Sequence, residues 1–151
     1  MRLNEVHATE LDAWIAERHY LGNVPAGAVL RLEFLDEAGQ RIGAMLWGRS
    51  TSPKLDQRKL LQLTRIVFEG EIHCRCSRAL SMARKYIRKN LPDIKGLITY
   101  ASSAQEHKGM VYLADGWFPI GQTVVNGKGW ENRAGRENRD MGVKLRFARS
   151  P

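Results

Sequence analysis

The sequence predicts an α/β fold with a mixed sheet in a single domain, an antiparallel N-terminal hairpin followed by a βαβ unit. Three observations predict it. Two apolar runs, Val29 to Leu35 and Ile42 to Trp47, flank the turn-forming stretch Asp36 to Gln40, which contains Gly39. Over residues 60–102 an apolar strand candidate, an amphipathic helix and a second apolar strand follow one another, the order that joins parallel strands by a right-handed crossover. Finally, 151 residues that are 43% hydrophobic and 26% charged suffice for one buried core, which excludes the disordered, collagen-like and disulfide-scaffold classes.

In chain order, Thr9 offers an N-cap hydroxyl with Asp12 three residues on, and Leu11, Trp14 and Ile15 form one apolar stripe, so a helix is expected over 10–20. Gly22 to Gly27, with Pro25 between, reads as a loop before the hairpin. Ser50 to Lys59 is polar and contains Pro53, a surface excursion, and Leu60 to Phe68 is a strand dense in β-formers. Ser77 is expected to cap a helix that buries Ala79, Leu80, Ala83, Tyr86 and Ile87 and turns Arg84, Lys85, Arg88 and Lys89 outward. Pro92 stops it near Asn90, and Gly96 to Ala101 is the next strand. A short helix over 108–115 ends at Gly116, a good C′ residue, and Trp117 to Thr123 returns as a strand. Past Asn126 the chain is polar, with no clear period until Val143 to Phe147. The expected division is therefore a domain over 1–125 and a basic extension over 126–151, packed on or flanking it. No apolar run approaches the ~20 residues of a membrane span, and the first residues resemble neither a secretory nor a transit peptide, so a soluble cytoplasmic protein is expected.

The net charge of +8 is unevenly placed. Acids outnumber Arg2, Arg18, Arg31 and Arg41 in residues 1–43, whereas residues 73–90 carry Arg75, Arg78, Arg84, Lys85, Arg88 and Lys89 with no acid. The segment 126–151 is basic as well. Such concentration fits a polyanionic partner, most often nucleic acid, or the phosphates of a cofactor, against the alternative of a merely solvated face. Cys74 and Cys76 are too close for an ordinary disulfide and, even with His73, too few for a closed zinc site, so a reducing compartment and no metal are expected.

In a βαβ unit the helix N-terminus presents unpaired N–H groups and a positive dipole end to anions. Arg75, Cys76, Ser77 and Arg78 fall at that point, and a pyrophosphate there meets backbone donors and two guanidinium forks. Downstream, Tyr112, Gly116, Trp117 and Gly121 fall at the spacing Y-x-x-x-G-[FW]-x-x-x-G, which resembles the closing signature of GNAT-superfamily acyltransferases, and Ser77 to Leu80 resembles their CoA-binding helix start. A narrower resemblance is to the Mom-type DNA-modification proteins of Mu-like phages. Leu63-Thr64-Arg65, Ser77 to Leu80, Tyr100-Ala101 and the run from His107 to Ala114 carry it. The chain differs from these relatives in having Arg75 and Ser77 where GNAT loops commonly hold glycine, and Ser102 where Mom-like proteins tend to hold an acid.

The resemblance implies a GNAT-like transferase working on double-stranded DNA, converting adenine to its N6-carbamoylmethyl form to shield phage DNA from restriction. The resemblance does not specify the donor, for which acetyl-CoA or a related CoA thioester is one candidate, and the oligomeric state, including a homodimer, stays open. By the same resemblance Tyr112 protonates a departing thiolate, a role a phenol of pKa ~10 can fill; the alternative is a ring packed on Trp117. Arg65, in an apolar run, needs either a carboxylate or an anionic substrate. His107 stands before Gly109 as a group able to accept a proton. By the resemblance His19, Tyr20 and Ser102 are acceptor-side candidates, with a core position the alternative for Tyr20. Lys128, Trp130, Arg133, Arg136 and Arg139 combine cations with one aromatic, suited to phosphate contacts and to stacking on an extruded base. Two other readings remain: a CoA-dependent N-acetyltransferase of a small-molecule, aminoacyl or protein amine, and a nucleic-acid-binding module without catalysis.

Overall fold

The computed structural model describes residues 1–70, 73–102, 109–123 and 143–151, with the backbone alone for His73 and Cys74. The elements are β1 (Arg2–Glu5), α1 (Glu10–Arg18), β2 (Ala28–Leu35), β3 (Arg41–Gly48), β4 (Leu60–Phe68), α2 (His73–Asn90), β5 (Gly96–Ser102), α3 (Met110–Ala114), β6 (Phe118–Gln122) and β7 (Lys144–Arg149). They form one seven-stranded sheet in the order β1-β2-β3-β4-β5-β7-β6. Only β4 and β5 pair in parallel; the other neighbours are antiparallel. The mixed sheet, the hairpin and the βαβ unit are all present.

The strand β3 shows why the sheet is covered on both sides. Its residues from Gly43 to Gly48 are all buried. Alternation sends Met45 and Trp47 into the larger core with Leu80, Ala83 and Ile87 of α2, and Ala44 and Leu46 into a smaller one with Leu11 and Ile15 of α1. A fully apolar run in a sheet is the mark of a strand packed on both faces.

Several local expectations are corrected. Helix α1 ends at Arg18, so His19 and Tyr20 follow the helix, with His19 in an extended conformation. Ser77 is not a cap: α2 already begins at His73, which puts Ser77 in its second turn. Arg84 does not face solvent, because it forms a bidentate pair with Asp115 at 2.8 and 2.9 Å, the two side chains being only 12% and 5% exposed. Asp115 also accepts from the Trp117 indole at 2.9 Å. Residues 2–5, with no apolar period, form an edge strand on β2. The basic extension rejoins the sheet through β7, which pairs with both β5 and β6.

Candidate active site

One irregularity opens the sheet. Leu46 pairs with Arg65 but Trp47 with Leu63, so Thr64 is an extra residue, a bulge whose hydroxyl donates to the Leu46 carbonyl at 2.9 Å. A bulge bends a strand and re-aims its side chains. Before it, Leu61 and Leu63 face α2; after it, Val67 joins the α1 core and Arg65 turns with it to that side. Beyond this point β4 has no further pairing with β5. Their parallel ladder runs from Leu60 opposite Gly96 to Leu63 opposite Thr99 and stops. From there β4 continues on β3 and β5 on β7, leaving a crevice at the carboxyl ends of two parallel strands, where open α/β sheets bind ligands.

Tyr112 stands at this crevice. Gly109, at φ 81°, opens α3, and a Cβ there would run into the Phe147 ring, so glycine lets α3 sit against β7. The Tyr112 ring packs against Trp117 and Phe147 with centroids 5.6 and 5.4 Å apart. Its phenol hydrogen-bonds with the Thr99 side chain, and the Thr99 hydroxyl donates to Leu63 at 3.1 Å across the last paired position. Burial pushes the phenol up to about 12 against the opposing effect of the Thr99 bond, so it is protonated at neutral pH. Cys76, a free half-buried thiol close enough to interact electrostatically with Tyr112, is pushed up to about 11 by burial and is neutral too.

On the other lip, Arg65 is half-buried and finds no carboxylate among the described residues. Its Nε and one terminal nitrogen donate to the main-chain and side-chain oxygens of Asn23, each at 3.0 Å, and the other terminal nitrogen to the Thr64 carbonyl at 2.7 Å. Burial holds its pKa below the usual arginine value. Of the two partners expected for Arg65, a carboxylate or an anionic ligand, the first is missing among the described residues. Tyr20, 54% exposed, stacks on His19 at 4.5 Å and lies near enough for its charge to act on both Arg65 and Tyr112.

His19 is pushed down to about 4, first by burial and then by the Arg65 charge, and its Nδ1 accepts from the Leu21 N–H at 3.2 Å. The imidazole is therefore neutral at pH 7 with its proton on Nε2, a donor to the crevice and too weak a base to take a proton there. The unfolded imidazole takes up its proton near 6.5 and the folded one near 4, so stability contributed by neutral His19 is complete above 6.5 and is lost as pH falls through that window. Denaturant titrations between pH 4 and 7 should show this loss. The His19→Gln variant should flatten it, and an unchanged pH slope would rule the assignment out.

The site thus gathers His19, Tyr20, Arg65, Cys76 and Tyr112 from four separate stretches. Asn23 and Thr99, which sequence reasoning missed, hold the two groups of greatest chemical interest. Ser102 ends β5 and is buried. Arg75 and Arg78 are exposed and Cys76 and Ser77 half-buried in the first two turns of α2, whose first turn has no acid. That helix start suits an anion such as the pyrophosphate of CoA through the charge of Arg75 and Arg78 and the positive end of the helix dipole rather than through a glycine cradle, since Arg75 and Ser77 carry side chains. His107, Lys128, Trp130, Arg133, Arg136 and Arg139 lie outside the described residues. Among the described residues no cluster of His, Cys, Asp and Glu can hold a metal, and no helix is long and apolar enough to cross a membrane.

Comparison with solved structures places this architecture. Ribosomal-protein-alanine N-acetyltransferase from Brucella melitensis superposes with a TM-score of 0.66 at 14% identity, covering 100% of both chains. Spermidine/spermine N-acetyltransferase SpeG from Vibrio cholerae gives 0.66 at 11%, covering 99% of this chain and 91% of that one. An acetyltransferase of the GNAT family from Streptococcus pneumoniae gives 0.64 at 11%, covering 99% and 98%. The fold is that of the GNAT acetyltransferases, and it takes in the chain through β7. Among curated proteins none matches the sequence. The profile of the Mom protein family matches residues 1–145, nearly the whole chain, and the protein belongs to that family.

Proposed function

We propose that the protein is a DNA-modifying transferase that acts on the N6 amino group of adenine, carbamoylmethylating it and so shielding phage DNA from restriction in the host cytoplasm. Family membership supports the substrate class. The observation that supports the site is that Tyr20 acts electrostatically on both Arg65, an arginine with no carboxylate partner among the described residues, and Tyr112, a buried and protonated phenol, where β4 and β5 part.

The adenine amino group is largely hidden in a stacked duplex, so the base must leave the stack to reach the crevice. Arg65, fixed by Asn23, neutralises negative charge that develops on the transferred group or its donor. Tyr112 donates its proton to the departing group, and Thr99 sets the direction of that phenol. The Nε2–H of His19 and the hydroxyl of Tyr20 border the side from which the amine enters. Carbamoylmethylation joins N6 to a methylene carbon, so its donor would carry the leaving group on that carbon; a CoA thioester offers an activated acyl carbon and would serve N-acylation instead, with Arg75 and Arg78 at the α2 start holding its phosphates. By their residue types Lys128, Arg133, Arg136 and Arg139 are suited to DNA phosphates and Trp130 to stacking on the extruded base, and His107 is a group able to accept the proton of the amine.

Nucleoside mass spectrometry of DNA from cells expressing the protein tests the reading. A new adenine-derived nucleoside is expected, its mass giving the transferred group; unmodified DNA alongside soluble protein would overturn it. Arg65→Ala should lower the modified fraction on the order of a hundredfold, the usual cost of removing one charge-stabilising donor. Asn23→Asp should do nearly as much by placing a carboxylate on the guanidinium, with the melting temperature kept. Activity at the wild-type level in both would remove Arg65 from the site.

The acetyltransferase fold favours a second reading, a CoA-dependent N-acetyltransferase of a small-molecule, aminoacyl or protein amine. Calorimetry separates the two. Acetyl-CoA binding independent of DNA supports the second, and no heat at millimolar ligand excludes it.

A further inference from the structure

Outside its last turn, where Arg88 and Lys89 complement the dipole, the helix α2 carries a charge pattern that works against its own stability. Of its six bases, Arg84 is held by Asp115; Arg75, Arg78, Lys85, Arg88 and Lys89 are exposed and meet no carboxylate among the described residues. Around α1, on the opposite side of the sheet, Arg18, Arg31 and Arg41 are each matched by an acid. Arg75 and Arg78 lie near the helix N-terminus, where the macrodipole disfavours cations. Lys85 and Lys89 are a like-charge pair at i,i+4, and Arg75 and Arg78 one at i,i+3, both unfavourable in an isolated helix. A partner that supplies negative charge relieves every one of these terms.

At 3.6 residues per turn, Arg75, Arg78, Lys85 and Lys89 fall within about 80° of one another, with Met82 between them, as a stripe about 21 Å long. Its upper end is at the mouth of the crevice. Its lower end flanks an open groove of about 440 Å³ lined by Leu3, Met82, Lys85, Tyr86, Lys89 and Asn90, in which lysine stems border an apolar floor. Glu5 of β1, the acid that approaches this side, is bonded by the Tyr86 hydroxyl.

We propose that the outer face of α2 is a docking surface for the phosphate backbone of double-stranded DNA, laid along the stripe so that the duplex passes the crevice. The length matches roughly six base pairs of backbone at 3.4 Å each. The proposal rests on the DNA-modifying reading and adds to it the surface that receives the duplex, on an element that precedes the basic extension in the sequence.

The test is fluorescence anisotropy of the full chain with a labelled duplex through a salt series. The Lys85→Ala/Lys89→Ala variant should make the slope of log affinity against log salt shallower by about 1.8, at roughly 0.9 per phosphate contact, and weaken binding some tens of fold near roughly 100 mM salt. Lys54→Ala/Arg58→Ala, two exposed bases in the loop before β4, should leave the slope unchanged. A folded Lys85/Lys89 variant with the wild-type slope, or equal losses in both variants, would overturn the surface while leaving the modification chemistry in place. Binding to anionic vesicles but not to the duplex would overturn it too; if nucleoside analysis were then also blank, the functional reading would fall with it.

Discussion

In the Tyr112→Phe protein the modified nucleoside should fall by about a hundredfold to ten-thousandfold, the range that a positioned proton donor contributes. The fold should barely notice. The ring keeps its contacts with Trp117 and Phe147, and what disappears is one hydroxyl and its hydrogen bond to Thr99. A neutral hydrogen bond of that kind contributes about 1 kcal/mol to stability. Large loss of product with a nearly unchanged melting curve is therefore the expected signature. Product at the wild-type level would reduce Tyr112 to a packing residue and shift the proton-donor role elsewhere.

The second large effect is on stability. Replacing Asp115 with alanine strands the Arg84 guanidinium, 12% exposed, and leaves the Trp117 indole without its acceptor. Breaking a buried pair from one side costs about 3–5 kcal/mol. For a chain of 151 residues, that corresponds to a fall in melting temperature on the order of 10 °C. Pairing the change with Arg84→Met removes the orphaned charge and should restore most of the loss. A single variant that melts like the wild type would mean that water reaches Arg84 freely.

The hairpin and the crossover were legible because their signals are local: Gly39 in a short polar break, apolar runs of strand length, and a proline after a basic amphipathic helix. The edge strand at Arg2–Glu5 was not, since four largely polar residues carry no period of their own and pair only because β2 offers an open side. Ser77 misled for a related reason. A serine before an apolar stripe looks like a cap, but the helix continues back to His73, where no cap residue marks the start. In the site, Tyr112 and Arg65 could be singled out because one falls in a motif and the other interrupts an apolar run. Asn23 could not. It lies 42 positions from Arg65 in a loop of ordinary composition, and only the tertiary fold brings the two together.

The placement of β7 has a consequence for how the molecule is assembled. During synthesis β6 emerges well before β7, yet among the described residues its only strand neighbour is β7, and β5 likewise has one side open until the same segment arrives. Local contacts can form the N-terminal hairpin early, whereas the far third of the sheet must wait for a non-local closure, whose entropy is lost before any pairing repays it. The nascent chain therefore holds two unfinished strand borders on either side of one gap, and removing Lys144 to Arg149 would cost not one strand but two.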